Sequence, residues 1–444
     1  MLIENKSQPR LSRKTGIRAN LGVVTDISIP ADQLGDLVAV LDLVRSGTAR
    51  TRPDLGRRSG LGRTVITQRV GHLMRAGLIE DGELGMSSGG RAPRELRFRS
   101  EAGVVLAAEL GATSISAGVT DLAGRLLAHR EEVADIAQGP EPVLARVRAM
   151  LDGLLAEVNG APVWGIGVGL PGPVEFATGR PSAPPIMPGW DGYPVRDHLS
   201  AHYDAPTWVD NEVNTMTLGE YRNGAAQGVR DYLYVKIGTG IGAGLISGGR
   251  LHRGSQGCAG DIGHTAARAD SSVVCRCGNT GCLEALAGGA ALARDGAAAA
   301  RDGSSPVLAE RLAQRGQVDA ADVAWAAQKG DRVAVELLVR AGRLIGEQLA
   351  MLISFFNPSL LLIGGGVAGA GDQLMATIRE AIYRRSLPLA TRDLRITGSS
   401  LGARAGVVGS AFMVLDELFA PDRLSRWLDL GSPAGHPQLA DAVA

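Results

Sequence analysis

The chain has 444 residues, more than one core ordinarily serves, so two or three domains are expected. Hydrophobic residues make up 45% and charged residues 21%, which argues against a disordered chain. No run of about 18 apolar residues occurs, which argues against a membrane span or a membrane partner. Net charge is zero but unevenly spread: the first 100 residues hold 17 Lys and Arg against 10 Asp and Glu, and an acidic remainder balances them. That asymmetry suits an N-terminal segment that meets a polyanion.

Residues 1–30 are polar and lack periodicity, which predicts a flexible N-terminal arm. From Gln33 to Val44, the residues Leu34, Leu37, Val38, Val40, Leu41 and Val44 recur at helical spacing, and Ser46-Gly47 ends that helix. Pro53 fits the first turn of a second helix, and Ser59-Gly60 a tight turn. A third helix is predicted from about Arg63 to Arg75, with Ile66, Val70 and Leu73 on one face and Gly77 after its end. Leu78–Glu80 and Glu95–Phe98 read as two strands around a Gly/Ser-rich loop. Three helices and a hairpin over residues 31–99 predict a winged helix-turn-helix. In that fold the third helix enters the major groove with its N-terminal residues toward base edges. Arg63, Thr64, Thr67 and Gln68 lie opposite its apolar face, and Arg can read guanine and Gln adenine. Arg52, Arg57, Arg58 and Arg69 are expected at phosphates, and Arg91, in the wing loop, in a minor groove. The predicted partner is a double-stranded DNA operator.

Beyond residue 99 the composition changes. Val104–Ala108 is a buried-strand run that leads to a turn at Gly111, a second strand through Val119 and a turn at Asp121–Gly124. The pattern returns at Tyr232–Ile237, followed by Gly238, Thr239, Gly240, Gly242 and Gly244, about 130 residues further on. The repeat predicts two α/β lobes, about 100–230 and 231–420, with a cleft between them. Leu360–Ile363 and Gly364–Gly366 follow a long amphipathic helix, and residues 421–444 read as a C-terminal tail. The turns at Gly111, at Gly238, Thr239 and Gly240, and at Gly364–Gly366 are of a kind that offers backbone N–H groups to phosphate.

Three of the four cysteines fall within eight positions: Cys275, Cys277 and Cys282 follow His264 in a Gly-rich stretch. This is no disulfide framework. Three thiolates and one imidazole form a closed tetrahedral set suited to structural Zn²⁺ in a reducing compartment. Cys258 reads as a buried small residue. The N-terminus lacks the apolar segment of a signal peptide, so a cytoplasmic location is expected.

Taken together, these residues resemble the ROK family (repressors, open reading frames and sugar kinases) over roughly Leu34 to Phe419. The most specific segments are Gly260–His264 and Cys275–Glu284, with Gly169–Pro173, Pro188–Trp190 and Asp210–Asn214 in support. The resemblance implies a two-lobed sugar-kinase-like domain of the actin/ribonuclease-H-like type. It implies a sugar or sugar-phosphate ligand held by Asn211, Glu212, Asp261, His264 and Glu284, and a homodimer or homotetramer. The N-terminal winged helix is typical of the family's regulators. The expected function is therefore a sugar-controlled repressor, with an ATP-dependent hexose or amino-sugar kinase as the alternative. Against catalysis, Glu212 stands where the family's kinases carry the Asp base, and Glu109 also replaces an Asp. Ala112 crowds the first phosphate turn, and Asp261 shortens a third carboxylate. A carboxylate displaced by about 1 Å can cost about a hundredfold in rate.

Overall fold

A computed structural model of the chain describes residues 31–84, 94–369 and 372–441, the side chains of 31–33 excepted. The arm expected at 1–30, and Arg91, lie outside the described residues. The N-terminal unit comprises helices α1 (Ala31–Arg45), α2 (Arg52–Ser59) and α3 (Arg63–Arg75) and strands β1 (Ile79–Leu84) and β2 (Arg94–Phe98). Thr51 caps α2 by accepting the Asp54 N–H at 3.3 Å, Pro53 sits in its first turn, and Gly60 closes it at φ 72°. The left-handed φ at Gly60 disfavours a side chain and sets the turn between α2 and α3. Ile66, Val70 and Leu73 of α3 are buried against Leu37, Val40 and Leu41 of α1. β1 and β2 pair antiparallel, Ile79 opposite Phe98, to form the wing. The strands run longer than their apolar residues predict, because backbone pairing continues through polar positions.

The first lobe contains β3 (Val104–Leu110), β4 (Ser114–Asp121), β5 (Leu126–Val133), α4 (Pro140–Glu157) and β6 (Val163–Leu170). A short hairpin of β7 (Val174–Glu175) and β8 (Arg180–Pro181) follows, then α5 (Val195–Tyr203), β9 (Thr207–Asn211) and α6 (Glu212–Asn223). Its sheet has the order β5-β4-β3-β6-β9, antiparallel on the β5 side and parallel from β3 to β9. The second lobe begins with β10 (Tyr232–Ile237), β11 (Ile241–Ser247) and β12 (Arg250–Leu251). Helices α7 (Leu283–Ala287), α8 (Gly289–Arg301), α9 (Pro306–Arg315), α10 (Ala320–Gln328) and α11 (Arg332–Phe356) come next. They lead to β13 (Leu360–Gly364), α12 (Asp372–Arg385), α13 (Pro388–Thr391) and β14 (Arg395–Gly398). The second sheet, β12-β11-β10-β13-β14, repeats the arrangement of the first: an antiparallel trio followed by two parallel strands.

Two boundaries differ from the sequence expectation. Helix α14 (Ala405–Leu418) lies beyond the second sheet in the chain but packs on α6, β3 and β6 of the first lobe. The crossing is close because Gly409 meets the Thr215 carbonyl, where a Cβ would clash. The residues after 420 are also no loose tail. Helix α15 (Pro421–Trp427) and the turns after it are folded, with Leu424, Trp427, Leu428 and Leu439 buried. Trp427 is edge-on to Trp164 of the first lobe at 5.3 Å, and its indole N–H donates to the Leu418 carbonyl at 2.9 Å. Phe419 in turn meets Phe98 of the wing edge-on at 6.2 Å and carries the Arg45 guanidinium over its ring at 5.1 Å. One continuous hydrophobic core therefore runs from the winged helix through α14 and α15 to the first sheet.

Trp427→Ala should cost about 3–5 kcal/mol, read as a lower denaturation midpoint. Met351→Ala, at a residue 55% exposed, should stay within about 0.5 kcal/mol. Equal effects would show that the C-terminal segment does not help to hold the core.

Candidate ligand cleft, metal centre and DNA-facing helix

Five residues singled out in the sequence, Asn211, Glu212, Asp261, His264 and Glu284, line one cleft between the two lobes. The first lobe supplies the junction of β9 and α6. Asn211 is the N-cap of α6: its Oδ1 accepts the N–H groups of Val213 (2.8 Å) and Asn214 (3.4 Å), and its Nδ2 donates to the Gly172 carbonyl at 2.8 Å. Its amide is thus largely committed to holding the cleft wall. Asp210 beneath it accepts from the Asn211 N–H, from Asn214 Nδ2 and from Arg253 Nε at 2.6 Å. Arg253 reaches across from the second lobe with its guanidinium over the Phe176 ring.

Glu212 opens α6, and its Oε1 lies 2.6 Å from Lys236 Nζ, on β10 of the second lobe. Its other oxygen is buried with no hydrogen-bond partner. Sequence reasoning missed Lys236. The available signal was a single lysine inside the otherwise apolar strand Tyr232–Ile237, a position that almost always requires a partner. Glu109 lies nearby at the end of β3, 7% exposed. Burial raises its pKa to about 8; Glu212 also pushes it up, and Lys236 opposes both.

From the second lobe, Glu284 in the first turn of α7 accepts the Ile241 N–H at 3.0 Å. Its carboxylate fills the space that a side chain at position 240 would need, so Gly240 is required by a protein carboxylate. Asp261 is exposed just before the turn that carries His264. Two N–H groups of the expected phosphate turns are taken up within the protein: that of Gly111 donates to Ser114 O at 2.8 Å, and that of Gly238 to Gly240 O at 2.9 Å. Thr239 and Gly240 line the cleft, whereas Gly111 does not.

The ligand atoms of His264, Cys275, Cys277 and Cys282 all lie within 4.8 Å of one another. Bridges between Ala266 and Cys282 and between Val274 and Thr280 fold the loop into this shape. His264 Nδ1 is 3.4 Å from Cys275 Sγ, and Cys277 and Cys282 are 3.8 Å apart through sulfur. A tetrahedral ion with bonds of about 2.3 Å to sulfur separates its sulfurs by about 3.8 Å, so the cluster has the dimensions of a metal site. Burial and the two other thiols hold Cys282 up at about 12, a cost that a divalent cation would offset. Cys258 is not the buried residue expected; it is exposed and lines the cleft.

On α3, Arg63, Thr64, Thr67 and Gln68 are exposed and share one shallow groove with Gly71, His72 and Arg75. Arg69 is a correction: it is 3% exposed and points toward Asp36 of α1, at 4.0 Å, so it is not placed for phosphate. Arg52 and Arg57 are paired with Asp81 and Asp54, and Arg58 is exposed. Among the described residues, no helix is long and apolar enough to cross a membrane.

Two matched α/β sheets, a cleft of polar residues between them and a winged helix-turn-helix in front define a two-lobed sugar-kinase-like fold with an N-terminal winged helix. The ROK family profile matches residues 105–417, and the chain belongs to that family. It is similar to the xylose repressor of Caldicellulosiruptor bescii, at 28% identity over 86% of this chain and 95% of that protein. It is also similar to a glucokinase of Halalkalibacterium halodurans, at 30% identity over 69% of this chain and 93% of that one. Among solved structures, a ROK family transcriptional regulator homologous to the E. coli Mlc protein aligns with a TM-score of 0.77 at 26% identity. That alignment covers 90% of this chain and all of the other. A ROK glucokinase from Streptomyces griseus aligns with a TM-score of 0.62 at 31% identity, over 70% and 99%. The regulator match covers 90% of this chain, whereas the two glucokinase matches leave about 30% of it uncovered.

Two outcomes are expected. The purified chain should carry one zinc ion by elemental mass spectrometry, and Cys275→Ser should lower its occupancy by tenfold or more; metal-free wild type would contradict this. Glu109 is neutral in the folded chain up to about pH 8 but ionises near 4.5 when unfolded. Its contribution to stability is therefore full below 4.5 and is lost as pH rises toward 8. Melting curves should show Glu109→Gln gaining on wild type between pH 5 and pH 8.5, and an unchanged difference would contradict the burial argument.

Proposed function

We propose that the chain is a transcriptional repressor whose affinity for a DNA operator is set by a sugar bound between the two lobes. The observation that carries this reading is the shared core: the unit bearing α3 is packed onto the lobe that supplies Asn211 and Glu212. A ligand that favours one arrangement of the lobes then favours one placement of the recognition helix, provided that it binds the two arrangements unequally. Arg63, Thr64, Thr67 and Gln68 face base edges. Two copies present their α3 helices about one turn of DNA apart, or a multiple of it, to a roughly palindromic site.

In the cleft, Glu212, Asp261 and Glu284 accept hydrogen bonds from sugar hydroxyls, His264 donates one through Nε2 once Nδ1 faces the metal, and Asn211 holds the wall from which Glu212 projects. Carboxylates suit this work because each accepts two hydrogen bonds in one plane. His264, Cys275, Cys277 and Cys282 would hold Zn²⁺. When bound, the ion supplies a closed tetrahedral brace and no open coordination position. The loop it braces carries His264 and leads to Glu284, so both side chains are fixed from one anchor.

The likeness to glucokinases supports a second reading, an ATP-dependent hexose kinase. Against it stands the ion pair of Glu212 with Lys236: a carboxylate held by an ammonium is a poor base for a sugar hydroxyl.

Fluorescence anisotropy with the chain's own promoter fragment tests the regulator. Affinity should fall steeply as salt rises. Arg63→Ala and Gln68→Ala should each cost about 1–3 kcal/mol on that fragment and little on unrelated DNA. Binding that ignores salt, or is unchanged in both variants, would overturn the assignment. Turnover of glucose with ATP at ordinary enzyme rates would favour the kinase instead.

A further inference from the structure

We propose that the cleft is built for an uncharged sugar and rejects its phosphate ester, and that the Lys236–Glu212 pair sets this preference. The inference rests on the sugar-sensing reading above and narrows its ligand.

Three observations converge. First, Lys236 is the cation that the second sheet brings to the α6 end of the cleft, and it is already engaged. Its Nζ is 2.6 Å from Glu212 Oε1, with the two side chains only 16% and 10% exposed. Water screens such a pair weakly, so an incoming phosphate competes directly with Glu212 for the ammonium. It would also bring its own negative charge beside that carboxylate, and like charges brought together in a protein cleft strongly disfavour binding.

Second, three backbone groups near the turns are engaged as well. The N–H of Gly111 donates to Ser114, that of Gly238 to Gly240, and that of Ile241 to Glu284. A turn holds phosphate by presenting free N–H groups, and at these positions the protein has closed them on itself. Acidic side chains add to the barrier: Asp261 and Glu284 line the same cleft.

Third, the site holds a vacancy of the opposite kind. Glu212 Oε2 is buried without a donor, although its residue lines the cleft. A buried acceptor left unpaired is destabilising, and one hydroxyl hydrogen would satisfy it. The hydroxyl that esterification removes can bring such a hydrogen; the phosphate group in its place brings only acceptors. The remaining basic residue in the lining, Arg276, is exposed on the metal-ligand loop and is the competing place for an anion.

Calorimetry on the full-length, zinc-loaded protein tests the proposal with two probe pairs: glucose with glucose 6-phosphate, and N-acetylglucosamine with its 6-phosphate. In the pair that binds, the neutral sugar should be favoured by about tenfold or more. Glu212→Gln keeps the shape, removes the charge and frees Lys236. It should shift the ratio toward the phosphate ester by about tenfold or more, whatever happens to the absolute affinities. A wild-type protein that binds the ester as tightly as the sugar, or more tightly, overturns the proposal without needing any variant. So does a ratio unmoved in Glu212→Gln, or an ester affinity that Arg276→Ala abolishes. If neither member of either pair binds, the sugar-sensing reading falls with it; an ester preference leaves that reading intact and removes only this one.

Discussion

The winged helix has no core that closes at its own boundary, and the rest of the architecture depends on that. Phe98 at the end of the wing packs on Phe419, Phe419 on Trp427, and Trp427 on Trp164 of the first lobe. Arg45 at the end of α1 lies over the same Phe419 ring. The elements between are α14 and α15, which the chain supplies only after completing the second lobe. The segment that ties the winged helix to the first lobe thus comes after both sheets in the chain, and the core of the first lobe includes it.

The winged helix shares its core with the first lobe, and the second lobe meets that lobe across the cleft. Two ion pairs cross the cleft from it to adjacent points: Arg253 to Asp210 and Lys236 to Glu212. Between these points stands Asn211, whose side chain both caps α6 and holds the loop at Gly172. The start of α6 is therefore clamped by charge from one side and packed through Gly409 of α14 on the other. A ligand that alters either ion pair acts on the helix against which the C-terminal segment is seated. This physical continuity links the cleft with the winged helix.

Much of this was legible in the chain. The helical spacing of Leu37, Val40, Leu41 and Ile66, Val70, Leu73, together with Pro53 and Gly60, marked three helices, because local pattern and turn chemistry agree there. The cluster of His264 with Cys275, Cys277 and Cys282 was legible because thiolates and imidazole have few other reasons to gather in a Gly-rich loop. The cleft residues came from the family resemblance, and their convergence on one cleft required the fold. Other features depended on tertiary packing that no local pattern encodes. Arg69 looked like a surface cation on the helical wheel, yet α1 covers it. Lys236 sat unremarked in a strand whose neighbours are all apolar, since its partner lies 24 positions earlier, in the other lobe. The C-terminal segment is too short for periodicity to declare it, although Pro421 at a helix start and Leu424, Trp427 and Leu428 on one side were present. The return of α14 to the first lobe reflects its burial on nearly all sides, which gives an apolar run with no preferred face.

Linkage offers the most direct test of the central claim, that cleft and recognition helix belong to one switch. The affinity of the full-length protein for its sugar should be measured alone and again when saturated with its promoter fragment. The account predicts a change of about fivefold or more, matched by the factor with which that sugar changes DNA affinity. Sugar binding of equal strength with and without DNA would contradict it.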